Sequence, residues 1–256
     1  MQKLRGIFLG TGTSQGVPVI ACDCDVCQST DFKDKRFRTS FYAELPEGNI
    51  VIDTGPDFRI QMLNNQITNV DAVLYTHEHK DHIAGMDDVR PFNFKSGKAM
   101  EIYASTNVQE ALKREFYYAF SDNKYPGVPS VNLHNVTGEP FQLLGEEITP
   151  IAVMHYKLPV FGFKIRNLAY ITDANYIAEK EKLKLQNLDC LVLNALRKEK
   201  HISHFNLEEA LALIEELKPK KAYLTHISHL LGKHELEEKD LPDNVKIAYD
   251  GLTIEF

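Results

Sequence analysis

The sequence has no excess of basic residues, no long apolar run and few cysteines, and each of these absences excludes a class of protein. Its 29 lysines and arginines are outnumbered by 36 acidic residues, which gives a net charge of -7. A general nucleic-acid-binding surface needs clustered Lys and Arg, so we do not expect nucleic acid as a partner. A small phosphorylated substrate is still compatible with this charge. No apolar run approaches the length of a transmembrane helix, so we expect no membrane association.

The N-terminus and the cysteine usage indicate a cytoplasmic protein. The segment MQKLRGIFLGTG starts with basic residues, but its apolar stretch is too short for a secretory signal. Three of the 4 cysteines lie within six residues, at Cys22, Cys24 and Cys27, which is a metal-binding pattern rather than a disulfide framework. The length of 256 residues and the hydrophobic content of 43% are typical of a globular protein. We therefore expect one domain over residues 1–256.

The densest chemical signal is THEHKDHIAG at residues 76–85, which follows the apolar run of residues 70–75. Within six residues it contains four ligand-type side chains: His77, His79, Asp81 and His82. Alternate residues of an extended segment point the same way, so the first two can bind one ion while the others serve a second from the start of a helix. Imidazole and carboxylate suit zinc, iron or manganese. The alternative is a solvated polar turn. A zinc-protease helix is excluded, because HExxH would need His at position 81.

Three apolar runs in the second half of the chain also end close to a ligand-type residue. His155 follows residues 148–154, Asp173 comes two residues after 167–171, and His226 comes two residues after 222–224. The carboxyl ends of strands are where sites assemble in α/β sheets. A lone histidine at a strand end is more often a core or surface residue, so the prediction of one site depends on the four segments together.

The motif HxHxDH after a strand, followed by Gly85, resembles the signature of the metallo-β-lactamase superfamily of dinuclear metallohydrolases. The resemblance implies an α/β fold of the αββα sandwich type, with two mixed sheets packed face to face and helices outside. It implies two divalent metal ions, zinc or manganese, as cofactors. The implied ligands are His77, His79 and His155 on one ion, Asp81, His82 and His226 on the other, and Asp173 as a bridge between them.

The segment GTGTSQGVPVIACDCDVC resembles a phosphodiesterase subgroup of that superfamily, which hydrolyses phosphoribosyl cyclic phosphate in phosphonate breakdown. The three thiolates can converge on a tetrahedral zinc but leave one ligand missing, and free thiols are the alternative. The resemblance implies a structural zinc held by Cys22, Cys24, Cys27 and His229. It also implies a catalytic role for His204, with His201 as the competing choice, and Asp81 is expected to act in catalysis as well as in metal binding.

Three further residues are weaker candidates. Asp53 ends a predicted strand before a Gly-Pro turn, where it can hydrogen-bond a metal-binding histidine or cap the turn. Arg59 and Arg90 are candidates for contact with a phosphate. Among the remaining residues, His234 lies in a charged helical segment and is expected to be solvated, and the aromatic residues of a predicted helix at 107–120 are expected to lie in the core.

We predict a metal-dependent phosphodiesterase that acts on a small cyclic or linear phosphodiester by attack of a hydroxide held on the metal ions. The metal ligands alone fit esters, thioesters and lactams equally well, so the preference for phosphodiesters depends on the resemblance. A tRNA 3′-end endonuclease is the alternative enzyme, but no long Lys/Arg-rich insertion is present. A non-catalytic metal-binding partner or sensor is the alternative of another class, and the complete set of ligands argues against it. The family comparison makes a homodimer plausible.

Overall fold

In the computed structural model, which describes residues 3–256, fifteen strands form two sheets. The strands are β1 (Arg5–Gly10), β2 (Ser40–Leu45), β3 (Gly48–Ile52), β4 (Ala72–Leu74), β5 (Met100–Ala104), β6 (Val131–Asn135), β7 (Phe141–Leu143), β8 (Glu146–His155), β9 (Leu158–Ile165), β10 (Leu168–Ile171), β11 (Tyr176–Ile177), β12 (Cys190–Asn194), β13 (Lys221–Thr225), β14 (Val245–Ile247) and β15 (Thr253–Glu255). The first sheet has the order β15-β1-β2-β3-β4-β5-β6, and the second has the order β11-β8-β9-β10-β12-β13-β14, with β7 paired to β8. Both sheets mix parallel and antiparallel pairs.

Eight α-helices accompany the sheets in the described part of the chain. They are α1 (Phe58–Asn64), α2 (Lys80–Ile83), α3 (Arg90–Ser96), α4 (Thr106–Glu115), α5 (Tyr117–Phe120), α6 (Glu179–Lys182), α7 (Leu207–Leu217) and α8 (His234–Glu238). Short 3-10 helices span Phe32–Asp34, Met86–Val89 and Leu183–Leu185. Within residues 3–256, no helix has both the length and the apolar character needed to cross a membrane.

The two sheets face each other across one apolar layer, and the helices cover their outer faces. Phe41 of the first sheet and Tyr170 of the second are both fully buried in this layer, with ring centroids 5.1 Å apart. On one outer side, Met62, Phe92 and Leu112 from three helices pack against the first sheet. A separate buried cluster contains residues of α7 and of the second sheet. The αββα sandwich predicted from the resemblance is therefore confirmed.

The start of helix α7 is specified by the local sequence. Asn206 accepts a hydrogen bond from the Glu209 backbone N–H at 2.8 Å, and the Glu209 carboxylate accepts one from the Asn206 backbone N–H at 3.1 Å. This reciprocal capping box satisfies two N–H groups that the helix itself leaves unpaired.

The predicted helix at 107–120 is interrupted at Phe116. The chain leaves helical geometry at Phe116, where φ is -116°, and α5 starts anew at Tyr117. Consecutive aromatic residues at 116–118 cannot share one helix face, and the break lets Phe116 be buried while Tyr117 stays 72% exposed. The expectation that Tyr117 lies in the core is therefore wrong.

The expectation that His234 is solvated is also wrong. Its side chain is buried, its Nδ1 lies 3.2 Å from Nη2 of Arg36, and its backbone N–H donates to Asp34 Oδ1 at 2.8 Å. A charged helical pattern in the sequence does not reveal this burial, because both partners lie about 200 residues away along the chain.

Candidate metal centre

Four chain segments bring their ligand-type side chains to one end of the sandwich. The motif at residues 76–85 follows β4, His155 is the last residue of β8, Asp173 follows β10 and His226 follows β13. The strands β10, β12 and β13 run parallel to one another, so their carboxyl ends meet at the same edge. Below, the "His/Asp cluster" means the seven predicted metal ligands together with His204.

The first group of the cluster consists of His77, His79 and His155, whose ligand atoms all lie within 4.8 Å of one another. Nε2 of His77 lies 3.1 Å from Nδ1 of His79, close enough for both atoms to face one ion. Nδ1 of His155 lies 2.9 Å from the carbonyl oxygen of Ser203, which can only accept a hydrogen bond. His155 therefore carries its proton on Nδ1 and leaves Nε2 free to coordinate.

The second group contains Asp81, Asp173 and His226, again with ligand atoms within 4.8 Å of one another. Nε2 of His82 lies 3.1 Å from Asp81 Oδ2 and 3.3 Å from Asp173 Oδ2. This nitrogen is buried and has no hydrogen bond of good geometry. Buried polar atoms are rarely left unpaired, and a cation between the imidazole and the two carboxylates would satisfy all three groups.

The electrostatics of the cluster also fit bound cations. Burial lowers the pKa of His77 well below its ordinary value and that of His226 to about 3, so both imidazoles stay neutral with a lone pair available. Burial alone would raise the pKa of Asp173, but His226 and His82 hold it well below its usual range. Burial alone would likewise lower the pKa of His82, but Asp81 and Asp173 raise it well above the ordinary value. Two ionised carboxylates thus surround a nitrogen that is driven to take up positive charge, which is the environment that a divalent ion requires.

Asp53 lies behind the cluster and supports ligands of both groups. It is fully buried, and its Oδ2 lies 2.7 Å from Nδ1 of His82. The Oγ1 hydroxyl of Thr76 donates to the same oxygen at 2.8 Å, and this hydroxyl lies 2.9 Å from Nδ1 of His77. Because a hydroxyl has a single proton to donate, Thr76 must accept from His77. The hydrogen bond to a metal-binding histidine that the sequence predicts for Asp53 is present, and it fixes both imidazoles with Nε2 towards the cluster.

His204 of the histidine pair at 201 and 204 contacts Asp173, the carboxylate that is predicted to bridge the two ions. Nε2 of His204 lies 3.0 Å from Asp173 Oδ1, and its ring centroid lies 4.6 Å from that of His155. His201 lies behind it, with the two Nδ1 atoms 3.1 Å apart. The geometry favours His204 over His201 as the residue that acts on a substrate, and its catalytic role stays a prediction.

The hydroxyl groups that position His226 and Asp173 were not predicted from the sequence. Thr39 Oγ1 donates to the Gly12 carbonyl oxygen at 2.8 Å and lies 3.2 Å from Nδ1 of His226, which can therefore donate to it. Thr172 Oγ1 donates to Asp173 Oδ2 at 2.7 Å. A signal was available for part of this, because a threonine immediately precedes the ligand-type residue in three of the four segments.

The three cysteines lie close to His229, the predicted fourth ligand, although it is about 200 residues away in the sequence. The sulfur atoms of Cys22, Cys24 and Cys27 lie 3.3, 3.3 and 3.6 Å from Nδ1 of His229. Zinc bonds of about 2.3 Å to sulfur and about 2.0 Å to nitrogen at tetrahedral angles separate such ligands by about 3.5 Å. A hydrogen bond from the Cys27 backbone N–H, together with His229, lowers the pKa of Cys24 to about 6, whereas burial raises that of Cys27 to about 11. The four side chains fit a closed zinc site.

The two weaker arginine candidates make contacts of other kinds. Arg59 lines a groove on the outside of the molecule with Met62 and Phe92, among other residues. The guanidinium of Arg90 pairs with the carboxylate of Asp87 at 2.7 Å. The proposed contact of either residue with a phosphate stays a prediction.

The family described as the beta-lactamase superfamily domain matches residues 48–227 of the chain. The chain therefore belongs to the metallo-β-lactamase superfamily, as the resemblance of its motifs predicted. The crystal structure of a diphosphatase from the PhnP family is 39% identical to it, with a TM-score of 0.94 over 100% of this chain and 98% of the other. This likeness confirms the predicted resemblance to the PhnP-like subgroup, whose activity stays a prediction for this chain.

Two further relatives differ from this chain, one in its length and the other in its sequence. An octanoyltransferase of Porphyromonas gingivalis is 39% identical over 252 residues, which are 97% of this chain but only 51% of that protein. The chain thus spans about half the length of this relative. The zinc-bound PqqB of Methylobacterium extorquens is 19% identical, with a TM-score of 0.81 over 98% of this chain and 100% of the other, and it shares the fold.

Proposed function

We propose that the chain is a metal-dependent phosphodiesterase that hydrolyses small cyclic or linear phosphodiesters at the His/Asp cluster. The observation that carries the proposal is the position of Asp173. Its Oδ2 lies 3.3 Å from Nε2 of His82 and 3.2 Å from Nδ1 of His226, and its Oδ1 lies 3.0 Å from Nε2 of His204. One carboxylate thus contacts two proposed ligands of one ion and the candidate proton donor, and its ligand atoms lie within 4.8 Å of those of His77 and of His155, which are proposed ligands of the other ion.

When bound, two divalent ions would lower the pKa of water and polarise phosphoryl oxygens. We propose His77, His79 and His155 as ligands of one ion, with Asp81, His82 and His226 on the other and Asp173 shared. Asp53 and Thr76 hold the imidazoles of His77 and His82 in the coordinating tautomer. We propose three ions in total, zinc or manganese in the cluster and a structural zinc at the cysteine site.

His204 is proposed to act on the leaving group. It is largely buried, and its Nδ1 contacts Ser203 Oγ at 3.0 Å while its Nε2 faces the cluster. A protonated imidazole at this position can donate to the oxygen that leaves phosphorus or can hold the phosphoryl group. General acid assistance of this kind accelerates hydrolysis by about 10²- to 10⁴-fold.

The identity to a diphosphatase supports a reaction at phosphorus. The octanoyltransferase of P. gingivalis has a similar identity to this chain, but it is about twice as long, so its acyl transfer can reside in the half without a counterpart here. The test nevertheless includes an acyl ester as an alternative substrate, because metal-activated water attacks esters as well as phosphodiesters.

The test compares hydrolysis of bis(p-nitrophenyl) phosphate, p-nitrophenyl phosphate and p-nitrophenyl octanoate by protein loaded with zinc or manganese. All three release p-nitrophenolate, so one absorbance measures them on one scale. We expect turnover of the diester to exceed that of the other two and to be lost after chelation. Faster turnover of the octanoate would contradict the proposal. Bound metal without turnover of any compound would favour a metal-binding partner or sensor.

A further inference from the structure

Three large apolar side chains are exposed on the loops that carry residues of the His/Asp cluster. They are Tyr156, Tyr176 and Ile202, with exposed fractions of 49%, 56% and 65%. Each lies within three residues along the chain of His155, Asp173 or His204. Burial of such side chains is favourable, so their exposure beside a candidate active site indicates a surface that a ligand covers.

Asn175 joins these loops into one surface, which we call the aromatic rim and define as Tyr156, Tyr176 and Ile202. Its side-chain oxygen accepts a hydrogen bond from the Tyr156 backbone N–H at 2.7 Å, and its amide nitrogen donates to the Ile202 carbonyl at 3.2 Å. Tyr176 itself is paired with Met154 between β11 and β8. The three side chains therefore belong to two loops and one short strand, whose relative positions are fixed by hydrogen bonds.

The backbone at Tyr156 adopts a conformation that glycine favours. His155 is paired with Leu158, so Tyr156 and Lys157 form a two-residue hairpin loop. The φ angle of Tyr156 is 56°, in the left-handed region. Glycine is the favoured residue at a position of this kind in a tight hairpin, and a tyrosine there is strained. A strained aromatic side chain next to a candidate ligand is expected to contribute to function rather than to folding.

The aromatic rim is flanked by the positive charge of Lys157. Nζ of Lys157 lies 5.3 Å from the centroid of the Tyr156 ring, and Lys157 is exposed. The rim thus combines an exposed aromatic face with an ammonium group, next to the cluster at which the phosphodiester is proposed to react. A ligand that matches has a planar aromatic group and a phosphate a few bonds apart.

We propose that the aromatic rim stacks the base of a nucleoside phosphodiester whose phosphate lies at the His/Asp cluster. The inference rests on the proposed function and narrows the range of substrates to phosphodiesters that carry a base, because those without a base would leave the aromatic rim uncovered. Aromatic side chains stack on any base, so the substrate class is a mononucleotide-sized phosphodiester without strong preference among bases.

The test is a calorimetric titration of zinc-loaded protein with adenosine 5′-monophosphate and with ribose 5-phosphate, which differ only in the base. We expect the nucleotide to bind about 10-fold more tightly, as one stacked base allows. Tyr156→Gly is expected to bring the two dissociation constants within about 2-fold of each other, since the stacking of that one base is lost. Tyr156→Phe should retain the preference.

Tyr156→Gly also distinguishes a loss of binding that comes from the missing side chain from one that comes from a destabilised fold. Because the position favours glycine, its thermal midpoint should equal or exceed that of the wild type. Phe94→Ala, which removes an exposed aromatic side chain of α3, is the matched control and should keep the preference for the nucleotide.

Equal dissociation constants for the two ligands in the wild type would overturn the inference, as would an unchanged preference in Tyr156→Gly. The proposed function fails separately, because it depends on turnover of bis(p-nitrophenyl) phosphate. A wild type that prefers the nucleotide but hydrolyses no phosphodiester would support the aromatic rim while refuting the phosphodiesterase.

Discussion

Asp53→Asn is the substitution that most specifically probes the proposed metal binding of the cluster, because one buried carboxylate orients residues that are proposed as ligands of both ions. Oδ1 accepts from the Thr76 backbone N–H at 2.8 Å, and Oδ2 accepts from the Thr76 hydroxyl at 2.8 Å and from His82 Nδ1 at 2.7 Å. Asparagine can keep the first of these bonds. Its amide NH₂ would then replace Oδ2 and face two other donors. Asparagine tolerates the φ of 62° at this position, so little backbone strain is added.

The expected magnitude follows from the bond to His82. A hydrogen bond to a charged group contributes about 1.5–3 kcal/mol, and 1.4 kcal/mol corresponds to about a tenfold change in an equilibrium constant. Loss of the bond should therefore weaken metal binding by about 10- to 150-fold, in agreement with the 10- to 100-fold range typical of residues that orient metal ligands. Because Thr76 transmits the effect to His77, both ions of the cluster should be affected.

Competition with a chromophoric chelator measures the metal affinities of the variant. Hydrolysis of bis(p-nitrophenyl) phosphate over a range of metal concentrations measures how weaker metal binding affects turnover. We expect lost turnover to be restored largely by excess metal, with the far-ultraviolet circular dichroism unchanged. Unchanged metal affinity in Asp53→Asn would refute the proposed support by Asp53. Equal losses at all metal concentrations would show that Asp53 acts on the reaction rather than on metal binding.

Three further predictions concern other residues. His204→Ala should lower turnover by about 10²- to 10⁴-fold while metal content stays unchanged, and parallel losses of both would instead make His204 a ligand. Cys24→Ser should remove one zinc per chain and lower the thermal midpoint without changing the cluster. Cys190→Ser is the control, because Cys190 is a buried free thiol in β12 outside the cysteine site. In metal-free protein the Cys27 backbone N–H and His229 lower the pKa of Cys24 from 9.0 to about 6, so its thiolate persists as pH falls and is protonated below about 6. Alkylation of Cys24 in metal-free protein, followed by peptide mass spectrometry, should therefore stay fast down to about pH 6, and a rate that already falls from pH 9 would contradict the prediction.

Much of the candidate site could be predicted from the sequence because its residues follow recognisable apolar strands. β8, β10 and β13 each contain a run of mostly apolar residues, and His155, Asp173 and His226 occur at or just after the strand ends. The alternation in HxH is equally local. Such features need no knowledge of tertiary contacts, since strand direction and side-chain alternation follow from backbone geometry.

The supporting contacts could not be predicted, because they join distant parts of the chain. Thr39 contacts His226 across 187 residues, and Arg36 contacts His234 across 198 residues. Strand β2 starts only at Ser40, since Arg36 and Arg38 bridge to the loop at Val17 and Gly12 instead of joining β1. Sequence periodicity carries no information about such pairings.

Anomalous diffraction at the zinc edge, from crystals grown with zinc, tests the central claim most directly. The account predicts two peaks in the His/Asp cluster, one beside His77, His79 and His155 and the other beside Asp81, His82 and His226, with Asp173 between them. A third peak is expected at the cysteine site. A single peak in the cluster, or none, would contradict the proposed dinuclear hydrolase.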